Sequence, residues 1–181
     1  MDQIYWSSNM KTWIALLRGI NVGGKNILPM KELIKLMEEN GFSDVRTYIQ
    51  SGNVVFKSAT TPSVEIGAMI EGKFGFKPSV FILSAGELAL SANNNPYQTD
   101  IGKTLHFFFC DQVPQSVDYE FLDGLKVPSE EYSLIDKVFY LYAPDGIGRS
   151  KLAEKMGRTF KDVTMTARNL NTINKLIQMV E

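Results

Sequence analysis

The chain has one cysteine, Cys110, and one histidine, His106. A lone cysteine excludes an intramolecular disulfide and every multi-cysteine metal site. A lone histidine excludes the multi-histidine metal sites and the His-x-x-x-His helix motif. No metal site and no cofactor are therefore expected. Neither sign of charge is in excess, with 19 Lys and Arg against 20 Asp and Glu, a net charge of −1. That balance argues against a dedicated nucleic-acid coat and leaves room for a local basic patch. No apolar run approaches the ~20 residues that a membrane helix needs. The opening MDQIYWSSN lacks the basic cluster and apolar core of a secretory signal. A cytoplasmic protein with no membrane partner is the expectation. Met10 reads as a second start, and residues 1–11 as an N-terminal extension.

What is present is ordinary for a globular protein: 181 residues, 44% hydrophobic, 22% charged and 11% aromatic. A chain of this size buries roughly 70% of the surface it exposes when unfolded, so it needs no staples. Thr12–Leu17 is a near-continuous apolar run, as in a strand buried on both faces. After a glycine-rich loop, Pro29 suits the start of a helix with Met30, Leu33, Ile34 and Met37 on one face, ended by Gly41. Residues 45–50 alternate, with Val45, Thr47 and Ile49 opposite Arg46, Tyr48 and Gln50. Ser51-Gly52-Asn53 then turns the chain into a strand over 54–56. Thr61-Pro62 opens a helix bearing Ile66, Met69, Ile70 and Phe74, and 79–83 is a strand. Ser84 and Glu87 form a capping box for an extra helix.

The order then recurs. Strands are expected at 104–110, 131–135 and 138–143, with Asp136-Lys137 as a hairpin turn. Helices are expected at 117–125 and 150–156, a short strand at 163–165, and a last helix from Arg168 to Val180. The expected fold is α+β, a tandem duplication of ferredoxin-like βαββαβ units, each followed by an extra helix. The boundaries are 12–92 for the first unit, 93–102 for a polar connector and 103–181 for the second unit.

Gly19, Gly24 and Lys25 of GINVGGKN fit the spacing of a phosphate-binding P-loop, with Asn26 where Ser or Thr should stand. The magnesium ligand is thus missing. The helix begins near Pro29, away from the glycines, whereas a working P-loop runs straight into its helix. A hairpin-rich order is also wrong for a P-loop enzyme, which needs a parallel sheet. The pattern reads as a glycine turn near Arg18 and Lys25, open to an anion without nucleotide hydrolysis.

ALLRGINVGGKN, MKEL and VRTYIQSGNVVF, with GRSKL (148–152) and TARNLNT (166–172) further on, resemble the signature of a bacterial family known as domain of unknown function 1697. The likeness runs from about Ile14 to Lys175. It implies a duplicated α+β fold and carries no activity with it.

The leading functional expectation is binding of a small anionic or phosphorylated ligand. Its candidate site joins Arg18, Asn21, Gly23, Gly24 and Lys25 to the turn residues Gln50, Ser51 and Asn53. Arg168, Asn171 and Thr172, read as one face of the last helix, extend it. Thr166 or Asn169 serves as the N-cap of that helix. Arg149, Ser150 and Lys151 form a second anion candidate at a helix start, where N-capping by Ser150 is the structural alternative. His106 and Cys110 lie roughly 13 Å apart along one strand face and cannot act as a pair. No nucleophile or base can be named. Two rival readings remain: an RNA-binding module using exposed sheet tyrosines Tyr48, Tyr140 and Tyr142, and an interaction protein or homodimer with a large apolar patch.

Overall fold

The structure, a computed structural model, describes residues 9–62 and 65–181. The first eight residues of the expected extension lie outside this range, as do residues 63 and 64, where the pattern carries the second helix forward. The architecture is mixed α+β, with two four-stranded antiparallel sheets and, among the described residues, six α-helices. The chain divides into two compact units. One comprises residues up to Leu88 together with Leu176–Glu181, the other Ala89–Lys175.

In the first unit β1 (Lys11–Arg18), α1 (Met30–Glu39), β2 (Ser43–Tyr48), β3 (Asn53–Ser58), α2 (Glu65–Phe74) and β4 (Ser79–Ser84) follow in order. The sheet runs β2-β3-β1-β4. This position explains the unbroken apolar run. Strand β1 is central, with Ala15 opposite Val54 of β3 and Ile82 of β4, and Ile14 to Leu17 are at most 1% exposed. Helix α1 buries Met30, Leu33, Leu36 and Met37. These side chains pack with Trp13, Val54, Phe56, Ile66 and Ile70 in the first core. Burying each full aliphatic side chain contributes roughly 1.5–3 kcal/mol. Phe42 meets Phe56 edge to face at 5.1 Å between ring centres. Past Asn40, Gly41 at φ +91 lets the chain leave the helix. The capping box forms as expected: Ser84 N donates to Glu87 Oε2 at 2.7 Å, and Glu87 N to Ser84 Oγ at 3.1 Å. Helix α3 (Ala85–Asn93) follows it.

The second unit contains a 3₁₀ turn at Gly102–Thr104, then β5 (Leu105–Cys110), α4 (Tyr119–Leu125), β6 (Glu131–Ile135), β7 (Val138–Tyr142), α5 (Lys151–Lys155) and β8 (Met165–Asn169). The last helix, α6 (Leu170–Val180), begins here. The sheet runs β6-β7-β5-β8. Phe139 centres the core among Leu122, Leu141, Leu152, Met156 and Phe160, with Tyr132 stacked on it at 5.4 Å. Asp118 caps α4 through Phe121 N at 2.9 Å.

Two expectations need correction. Arg168 stands on β8 opposite Phe107 of β5, not on the last helix. Asn169 Oδ1 accepts from Thr172 N at 3.0 Å, and this cap starts α6 at Leu170. The strand pairing comes from a segment some 60 residues upstream, so local pattern could not supply it. Ile49 does not continue the alternation of β2, for it sits in the turn at φ +50 and is 52% exposed. Residues 94–101 form neither helix nor strand yet are anchored. Tyr97 stacks against Tyr142 at 6.4 Å, and its hydroxyl bonds Ser133 Oγ at 2.8 Å.

Candidate functional site

The glycine loop closes on itself. Val22 and Lys25 form a bridge, with Lys25 N donating to Val22 O at 3.0 Å. Gly23 (φ +58) and Gly24 (φ +71) fill the two central positions of the turn, where a tight hairpin demands positive φ at both. Asn21 and Asn26 flank it, also at positive φ, and Asn21 N donates to Asn26 O at 3.1 Å. Asn26 Nδ2 reaches back to Gly19 O at 2.9 Å. A P-loop needs its amides turned outward around a phosphate and an immediate helix. Here the Lys25 amide is bonded inside the loop, α1 starts only at Met30, and every strand pair is antiparallel.

Asn21 ties this loop to its neighbours. Its Oδ1 accepts from Leu28 N at 2.8 Å, and its Nδ2 donates to Leu28 O at 3.0 Å and Gln50 O at 2.9 Å. The last bond brings the loop to the turn between β2 and β3. Asn53 does equivalent work inside that turn, with Nδ2 donating to Tyr48 O at 3.0 Å and Ser51 Oγ at 2.9 Å. Gly52, at φ +84, lies flat on β1. A Cβ there would sit 2.7 Å from Leu17 Cβ and 2.9 Å from Ile20 Cδ1. Asn21, Gly23, Gly24 and Asn53 therefore hold architecture. Arg18, Lys25, Gln50 and Ser51 are exposed. Neither Arg18 nor Lys25 takes part in an ion pair among the described residues.

The remaining candidates belong to the second unit. Arg168 is 8% exposed, and its Nη1 donates to Thr166 Oγ1 at 2.9 Å and Ala167 O at 2.7 Å. Burial pulls its guanidinium down to about 10, which still leaves it cationic at neutral pH. Thr172 is buried beside its cap. Asn171 is exposed and covers Gly102, where a Cβ would collide with its side chain. Ser150 is the N-cap of α5, its Oγ accepting from Ala153 N at 3.0 Å. Arg149 and Lys151 on either side of it are exposed.

A cleft of about 520 Å³ opens between the start of β5, the loop after β7 and the end of β8. Lys103, His106, Asp145 and Asn169 line it, with Gly146, Ile147 and Gly148 along one wall. Sequence pattern does not join its residues, because they come from three segments far apart in the chain. The glycine half of GIGRSK and the Asn of TARNLNT both border it, beside the chain's one histidine. A second cleft of about 400 Å³ is lined by Ser116, Asp118, Arg158, Thr159 and Asp162. Its two carboxylates are already engaged, Asp118 in its cap and Asp162 by Gln115 N at 2.8 Å.

Other reactive groups are buried and inert. Tyr140 is 1% exposed, donates its hydroxyl to Ser91 O at 2.7 Å, and is raised to about 12 chiefly by burial. It cannot stack a base. Burial, reinforced by Asp111 and Asp162, pushes the Cys110 thiol up to about 12. No described helix is long and apolar enough to cross a membrane.

The fold resembles a solved one. A conserved bacterial protein, SP0830 from Streptococcus pneumoniae, superposes with a TM-score of 0.70 at 23% identity, over 95% of this chain and 99% of that one. Among curated proteins none matches the chain. The family model described as a protein of unknown function, DUF1697, matches residues 10–140. That span includes the glycine loop, the Gln50–Asn53 turn and His106, whereas GRSKL and TARNLNT lie beyond it. With most of its length matched, the chain belongs to the DUF1697 family.

Proposed function

We propose that this protein binds a small anionic or phosphorylated ligand where the glycine loop meets the turn between β2 and β3, without Walker-type hydrolysis. The observation that carries this reading is Asn21. Its bonds to Leu28 and Gln50 hold loop and turn together, beside Arg18 and Lys25, two exposed cations in no ion pair among the described residues. Arg18 and Lys25 neutralise the ligand's charge, and Gln50 and Ser51 orient it. Arg168 and Thr172, buried in the second unit, act as structural residues. The tandem ferredoxin-like duplication belongs to the same proposal. When each unit's strands are numbered one to four in chain order, both sheets run 2-3-1-4. Helices α3 and α6 follow the two fourth strands.

Thermal unfolding with pyrophosphate and adenosine monophosphate tests the ligand. A ligand at a hundred times its dissociation constant adds about 2.7 kcal/mol of stability, a shift of several degrees. The double change Arg18→Ser, Lys25→Ser removes two charge-assisted contacts and abolishes that shift. No shift with either compound in the unmodified protein overturns the anion reading. A second reading has its own observation, since Val22, Ile27 and Ile49 are 68%, 57% and 52% exposed in these same two loops. A concentration-dependent dimer lost in Val22→Ser, Ile27→Ser would assign the loop to protein contact instead.

A further inference from the structure

We propose that the cleft of the second unit is a separate binding site for a small phosphorylated polyol, with the hydroxyls held by His106, Asn169 and Asp145 and the phosphate by Lys103. Its volume of about 520 Å³ falls in the range of small-molecule sites. His106 of β5 is directly opposite Asn169 of β8. Directly opposed residues project from the same face of a sheet, roughly 5 Å apart, so imidazole and amide stand side by side, and the amide offers Nδ2 because its Oδ1 caps α6.

The further sign of a missing partner is chemical. His106 Nδ1 is buried and has no hydrogen-bond partner among the described residues. Buried polar atoms are nearly always bonded, so this nitrogen gains a partner only if the ring or its neighbours shift as a ligand enters the cleft. Burial holds the imidazole below its usual titration range. It is neutral at pH 7, with one nitrogen donating and the other accepting, which suits hydroxyl groups. Asp145 lends Oδ2 to Ser129 Oγ at 2.8 Å and forms no ion pair among the described residues. Its charge repels a phosphate and directs it to Lys103, an exposed cation on the facing turn. The loop is pre-shaped: Ala143 N donates to Thr104 O at 2.8 Å, Gly146 N to Ala143 O at 2.9 Å, and Gly146 takes φ +97.

His106 is the protein's one imidazole, so its ring C–H resonance in the proton NMR spectrum is a unique reporter. At fixed pH, glucose 6-phosphate moves that resonance saturably, and glucose or inorganic phosphate binds at least about tenfold more weakly. Lys103→Glu weakens glucose 6-phosphate by about tenfold or more while leaving the rest of the spectrum folded. Arg18→Ser, Lys25→Ser keeps the unmodified response, which separates this site from the loop of the first unit. An unmoved resonance at about 10 mM glucose 6-phosphate overturns the proposal, as does full affinity in Lys103→Glu. Equal binding of inorganic phosphate overturns the polyol assignment, and loss of the response in the Arg18, Lys25 variant overturns the separateness.

Discussion

Asn21 concentrates the local chemistry of the first unit in one side chain. It takes φ +53, a region that costs most L-residues about 1–2 kcal/mol and that asparagine tolerates best after glycine. It also makes three hydrogen bonds, two of them to the fully buried Leu28. Each is worth about 0.5–1.5 kcal/mol. Asn21→Ala therefore loses the bonds and adds backbone strain, for a total near 3 kcal/mol. Asn21→Gly loses the same bonds but not the conformational ease, and is less destabilised by about 1 kcal/mol. Urea unfolding of both variants checks this ordering. Equal stabilities would mean that φ is relaxed in the loop. The same residue explains why GINVGGKN mimics a P-loop in sequence and not in structure. Its glycines serve a hairpin turn, and its asparagines replace backbone partners rather than a metal-binding hydroxyl.

Helix ends and strand pairs differ in how they are encoded. The reciprocal bonds between Ser84 and Glu87 involve only residues three apart. Ser84→Ala with Glu87→Ala should cost about 1–2 kcal/mol, and each single change about half of that. Chemical denaturation of the three variants measures it, with an unchanged midpoint as the contrary result. Local rules of this kind made much of the fold legible. The run Thr12–Leu17, the helix after Pro29, the caps at Ser84 and Ser150 and the turn at Asp136-Lys137 all follow from neighbouring residues. Strand β8 was not legible in this way. Met165 to Asn169 is short and polar, and its extended form comes from pairing with β5. Ile49 is the converse case. Its alternation fits a strand, but the Gly52 backbone must lie against Leu17, and the chain turns one residue too early for Ile49 to be buried.

For the whole molecule, the candidate sites were legible as segments and not as places. The glycine loop meets the turn after β2 through the bond from Asn21 Nδ2 to Gln50 O, between residues 29 apart in the chain. Gly146–Gly148 and Asn169 share a cleft with His106 because β8 and β7 flank β5. Pairing order also predicts how each unit holds together. In the sheet orders β2-β3-β1-β4 and β6-β7-β5-β8, the inner strands are β3 and β1, then β7 and β5. Inner strands have partners on both sides and lie deepest in their cores. Val54, Val55 and Phe56 of β3, with Phe139, Tyr140 and Leu141 of β7, are at most 1% exposed. Their amides open only with the most extensive unfolding of their unit. Edge strands exchange through smaller openings, and β2 most easily, since its register shifts between Ser43 and Arg46. Native-state hydrogen exchange should thus give two matching profiles, slow on β1 and β3 and on β5 and β7, faster on β2, β4, β6 and β8. Residues 94–101 should exchange fastest outside the chain termini, apart from the amides of Asn94, Asn95, Tyr97 and Ile101, which donate to Leu90 O, Ala92 O, Asn95 Oδ1 and Thr99 Oγ1. Edge strands as protected as the inner ones would show that something beyond pairing order stabilises them. Unequal profiles between the units would count against reading them as copies of one design.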